Sequence, residues 1–126
     1  MTGAALRRED ALAIHVAATD RFGGANGVRD EGLLDSALAQ PLQAFAGREL
    51  YATTVEKAAR YAFGIISDHP FVDGNKRTAT AVMGAYLRLS GCAFEPRHDE
   101  LLSIMMGAAA GEVSYEELVR WIAENV

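Results

Sequence analysis

Residues 69–77 read HPFVDGNKR and set an imidazole, a carboxylate, an amide and two cations within nine positions. Imidazole is the side chain that exchanges protons near neutrality, so His69 is the local group suited to taking a proton from a hydroxyl. Pro70 disfavours helical dihedrals at the residue before it and so ends a helix at His69. Gly74 permits a turn that a side chain would resist. Asp73 or Asn75 can then cap a following helix, leaving the amides of its first turn free. Such amides, with the positive end of the helix dipole, make a site for anions and for phosphate above all. Lys76 and Arg77 add two cations at the same mouth: Arg77 can clasp phosphate oxygens with two prongs, whereas Lys76 acts as a point charge. Asp73 stands where it could hold Mg²⁺ against those phosphates, since that ion takes one or two carboxylates plus phosphate oxygens. Together these residue types point to phosphoryl or nucleotidyl transfer, in which positioning and charge do most of the catalysis.

Two apolar helices must hold such a loop. YATTVEKAARYAFGIISD (51–68) places Val55, Ala58, Ala59, Ala62, Phe63 and Ile66 on one stripe, and KRTATAVMGAYLRLSG repeats the pattern through Ala79, Val82, Met83 and Tyr86 to a closing Gly91. Upstream, EDALAIHVAATDRF (9–22) carries Leu12, Val16 and an Ile14/Ala18/Phe22 row, ended by Gly23-Gly24. GGANGVRDEG reads as a connector whose Asp30 caps the next helix, EGLLDSALAQ, which Pro41 stops. DELLSIMMGAAAG and SYEELVRWIAEN complete the set, the latter opening with the Ser114/Glu117 spacing of a capping box. No strand run, repeat or low-complexity linker is evident. The expectation is an all-α, single-domain bundle of about six helices.

Whole-chain numbers narrow the classes. A length of 126 residues suits one domain, and a single cysteine, Cys92, excludes an internal disulfide and fits a reducing compartment. Twelve Lys and Arg against 17 Asp and Glu leave a net charge of -5, which argues against a duplex nucleic-acid partner. No stretch has the length of a membrane span, so a cytoplasmic protein is expected.

The same residues carry a resemblance. HPFVDGNKR resembles the Fic motif: a histidine, a phenylalanine two positions on, an acid, then Gly-Asn and a basic end. HVAATDRFGGANGVRDEGLLDSALAQP, LYATTVEKAARYAFGIISDHPFVDGNKRTA and AAAGEVSYEELVRWI are similar to the Doc (death on curing) branch of the Fic/Doc family. The likeness covers nearly the whole chain. It implies a Fic fold over residues 1–126 and ATP-dependent modification of a protein hydroxyl. His69 would be the base and Asp73 the Mg²⁺ ligand, with Gly74, Asn75, Lys76 and Arg77 on the phosphates. Within the Doc branch it implies a toxin that phosphorylates a translation protein, elongation factor Tu, and arrests growth.

Departures from the wider motif bear on the group transferred. Members that transfer AMP carry glycine after Gly-Asn and a second arginine three residues past the first; this chain has Lys76 and Thr80. Lys76 matches the kinase branch, whereas Gly74 (alanine in Doc) matches the AMP-transferring majority, and Ala81 replaces an asparagine of Doc. Phosphoryl transfer is the favoured reading and AMP transfer the runner-up. A catalytically silent, antitoxin-binding regulator is the alternative of another class. The family's inhibitory element, Ser/Thr four residues before Glu-Gly or Glu-Asn, is missing, because Glu124-Asn125 follows Arg120 at that spacing. Restraint is therefore expected from a separate Phd-like antitoxin, short and partly disordered, laying a helix in a groove of this domain.

The remaining residues have plainer readings. Phe71 is expected as a core anchor for the loop, and His15 as a hydrogen-bonded structural histidine within an apolar helix. His98 is expected before a helix and exposed; Met105, Met106 and Trp121 are assigned to the core, and Cys92 to a buried, inert position. Three separated histidines make no zinc site. AFAGRELY (44–51) is either a flap that pairs with the backbone of a target or an ordinary interhelix loop.

Overall fold

An alanine-rich face on one central helix meets an aliphatic face on the other. In the computed structural model, which describes residues 5–126, α1 is Arg8–Phe22, α2 Glu31–Ala39, α3 Thr54–Asp68, α4 Asn75–Leu89, α5 His98–Ala109 and α6 Tyr115–Glu124. The most extensive packing is between α3 and α4. Ala58, Ala59, Ala62 and Ile65 of α3 face the same core as Ala79, Val82, Met83 and Leu87 of α4, all without solvent exposure. Each large aliphatic side chain buried there contributes roughly 1.5–3 kcal/mol. Around this pair, α2 and α6 pack on α3, α1 packs on α4, and α5 touches both central helices.

Local chemistry sets most helix ends. Asp30 accepts from the Leu33 N–H to open α2, as expected. Thr53 and Glu56 form a capping box on α3, and Ser114 and Glu117 form the one anticipated on α6. An all-α bundle of six helices is thus the architecture of the described residues, and no helix among them is long and apolar enough to cross a membrane.

Several expectations are corrected. In helix α1, Val16 and Phe22 are 45% and 57% exposed while Leu12 and Ile14 are partly buried against the core; its buried residues are Ala11, His15 and Thr19. Hydrogen bonds offset most of the cost of turning these polar residues inward: His15 Nδ1 bonds Thr78, and Thr19 bonds Asn26 and the Val16 carbonyl. A short hairpin, β1 Ala44–Phe45 and β2 Arg48–Glu49, stands where no strand was expected. Its two-residue turn has Ala46 and Gly47 at φ 52° and 79°, the twist that two-residue hairpins favour. Met106 is 53% exposed rather than core and Cys92 is only partly buried, whereas Trp121 packs against the core as expected, partly buried with its ring edge-on to Phe94.

Candidate active site

The motif loop runs from the C-terminus of α3 to the N-terminus of α4, so the core holds both its ends. His69 is the residue that closes α3, with its N–H donating to the Ile65 carbonyl at 3.1 Å. Pro70 keeps it out of right-handed helix, as expected, but it adopts the left-handed conformation (φ 49°, ψ 56°) rather than an extended one. After this turn the imidazole is exposed, while the buried Pro70 and Phe71 anchor the chain. Phe71 is fully buried and stacks on the His15 ring at 4.0 Å, confirming its role as anchor. His15 is the buried histidine the sequence implied, bonded through Nδ1 to Thr78 Oγ1 at 3.0 Å, while its buried Nε2 has no hydrogen-bond partner among the described residues. Burial pushes its pKa below the ordinary value, partly offset by the negative charge of Asp73.

Neither Asp73 nor Asn75 caps α4. Gly74 occupies the cap in left-handed conformation (φ 73°) with no side-chain bond, so no side chain caps the helix mouth. Asn75 is already the first helical residue, and both ends of its amide grip the Phe71 backbone: Oδ1 accepts from the N–H and Nδ2 donates to the carbonyl, each at 3.0 Å. The Asp73 carboxylate is oriented from two sides, Oδ1 by the Gly74 N–H at 2.8 Å and Oδ2 by the Ala25 N–H at 3.4 Å. Lys76 and Arg77 are exposed on the first turn of α4, with Arg77 lying 5.2 Å over the Phe22 ring.

The glycine-rich connector between α1 and α2 contributes more than its sequence suggested. It runs along the motif loop: Val72 donates to the Gly27 carbonyl, Val28 bridges Phe71, and the Arg29 and Asp30 N–H groups both donate to the Pro70 carbonyl. A Cβ on Gly24 would lie 2.8 Å from Asp73 Oδ2, so only glycine permits this approach at φ 112°. The Arg29 guanidinium donates to the His69 carbonyl at 2.7 Å and the Asp68 carbonyl at 2.8 Å. Gly24, Ala25 and Arg29 escaped sequence reasoning because their partners lie some forty residues or more away.

Two clefts meet at Lys76 and Arg77. A polar one of about 420 Å³ takes in His69, Asp73, Gly74 and Asn75. An apolar one of about 470 Å³ between α4 and α5 is lined by Phe22, Ala81, Leu101 and Met105, and His98 reaches it from the exposed start of α5. Among the described residues no three His, Cys, Asp or Glu side chains cluster as a metal cage. A lone, pre-oriented carboxylate fits Mg²⁺ that shares its shell with phosphates and water, not a metal held by protein alone.

An imidazole, an uncapped helix N-terminus and two cations around one polar cleft are groups chemically suited to transfer of a phosphoryl or nucleotidyl group. The chain belongs to the Fic/DOC family, whose profile matches residues 5–87. It is 42% identical over 86 residues to "Toxin Doc" of Mycolicibacterium smegmatis, covering 68% of this chain and 64%, just under two-thirds, of that toxin. It is also 34% identical over 107 residues to "Protein kinase doc" of Escherichia phage P1, covering 84% and 82% of the two chains.

Proposed function

We propose that this chain is a Doc-type toxin that transfers the γ-phosphoryl group of ATP to a Ser or Thr hydroxyl of a translation protein. The observation that carries the reading is the shared polar cleft: His69 faces the same space as the uncapped N-terminus of α4 and its two cations. The names of two relatives, a Doc toxin and a Doc protein kinase, agree with it. His69 takes the proton from the acceptor hydroxyl as its oxygen bonds to the γ-phosphorus. The bond from that phosphorus to the β–γ bridging oxygen breaks, and ADP leaves with the electron pair. The first-turn N–H groups of α4, including that of Asn75, hold phosphate oxygens together with Lys76 and Arg77. Asp73 would hold Mg²⁺, which when bound neutralises phosphate charge. Gly74, without a side chain, leaves the backbone open to the phosphates.

The hairpin offers free strand edges, with Phe45 77% exposed, on which an extended target segment can pair. The apolar cleft, with Phe22, Leu102 and Met106 exposed at its rim, suits the amphipathic helix of a Phd-like antitoxin. Elongation factor Tu is the expected target. ATP labelled at the α or the γ phosphate, incubated with that factor and with lysate, tests the assignment. Label is expected on protein from the γ position alone; label from the α position would make this an AMP transferase, and none from either would leave a binding protein. His69→Ala is expected to lower transfer by at least about 10²-fold with its helical spectrum retained; a folded, active variant would refute the base assignment.

A further inference from the structure

The imidazole of His69 takes no hydrogen bond from the described residues, so its position comes from its backbone. That backbone is unusual: a non-glycine residue in left-handed conformation, placed before a proline and at the end of a helix whose last carbonyls lack intrahelical partners. One residue from another part of the chain meets all of these needs. Arg29 donates to three consecutive carbonyls, through Nη2 to Asp68, through Nε to His69 and through its own N–H to Pro70, at 2.8, 2.7 and 2.7 Å. A planar guanidinium fork fits two adjacent carbonyls in fixed geometry, which a lysine ammonium does not. Its charge also sits where the helix dipole is negative.

We propose that Arg29 is a positioning residue: its guanidinium locks the left-handed turn that points the His69 imidazole into the polar cleft. The proposal rests on the reading of His69 as the base, but its structural half stands apart from that reading. Among the described residues Arg29 bonds neither Lys76 nor Arg77 and does not line the polar cleft, so its loss should alter proton transfer and not nucleotide binding. Because it is exposed, the fold does not depend on burying it.

The experiment compares Arg29→Ala and Arg29→Lys with the parent in γ-label transfer, in ATP KM and in the His69 ¹³Cα and ¹³Cβ shifts. Both variants are expected to lose kcat on the order of 10- to 100-fold, the scale of a misplaced catalytic group, with ATP KM unchanged. Free guanidinium ion is expected to restore part of the activity of Arg29→Ala, a rescue that a general loss of stability would not show. In both variants the His69 shifts are expected to leave left-handed values. Parent-like kcat, or His69 shifts that stay left-handed in Arg29→Ala, would overturn the proposal. If the parent itself transfers no label, the enzymatic reading fails, and the shifts alone decide whether Arg29 sets the turn.

Discussion

A side chain that cannot exist at one position shapes the site as much as those that do. Gly24 sits at φ 112° with its missing Cβ only 2.8 Å from Asp73 Oδ2. Gly24→Ala therefore has two costs, a backbone strain of about 1–3 kcal/mol and a displaced carboxylate. Calorimetric titration with ATP is expected to show affinity reduced about tenfold when Mg²⁺ is present, by analogy with losing a group that orients a metal ligand. Without Mg²⁺ the affinity should match the parent. Equal losses in both conditions would mean that Gly24 supports the phosphate mouth as a whole and not Asp73. Gly74 is a milder case: a Cβ there would meet the His15 ring at 3.8 Å, an ordinary contact, so within the fold its positive φ and not crowding favours glycine.

Between elements, the hairpin is tied to α3 by one buried cation. Lys57 is 2% exposed, pairs with Glu49 Oε1 at 3.0 Å and donates to the Tyr51 carbonyl. Glu49 stays half in water, so removing the lysine strands a backbone carbonyl more than a charge. Lys57→Met keeps much of the buried stem and is expected to cost about 1–3 kcal/mol. Its distinct signature is local: limited proteolysis should cut near Ala46-Gly47 before the global unfolding transition, and KM for the protein target should rise while KM for ATP does not. A parent-like cleavage pattern would show that the hairpin holds its place without this tie. Arg60 braces the same corner, its guanidinium 5.9, 5.9 and 5.6 Å from the rings of Tyr51, Phe63 and Tyr115.

At the scale of the whole molecule, buried phenols link the helices and set an alkaline limit. The Tyr61 hydroxyl accepts from the Leu6 N–H, and Tyr115 donates to the Glu56 carbonyl, joining α6 to α3. Burial raises the pKa of Tyr61, Tyr86 and Tyr115, the last pushed up to about 12, with the nearby Glu56 charge adding to it. Each acid is thus harder to ionise folded than unfolded. Their contribution is complete below pH 10, the ordinary tyrosine value, and for Tyr115 it is lost as pH rises from 10 to about 12. Thermal melts over that window are expected to show a falling Tm, with a shallower fall in Tyr115→Phe. An unchanged slope in that variant would place the alkaline loss on Tyr61 and Tyr86.

What the sequence alone determined is what short-range chemistry controls. Helical periods along α3 and α4, the Asp30 cap and the Ser114/Glu117 box act over three or four residues, and the motif HPFVDGNKR lies within one loop and the helix turn that follows it. Tertiary structure decided whatever joins distant residues. The inward face of α1 depends on Thr78, sixty-three positions from His15, so an apolar count found Leu12 and Ile14 but not the buried polar residues beside them. The hairpin is too short for a period to show, and its turn lacks the expected Asn or Asp. Arg29 looked like part of a connector, because nothing local reveals that its guanidinium meets the carbonyls of Asp68 and His69. Backbone groups carry no sequence label, so their partners become known only once the chain has folded back on itself.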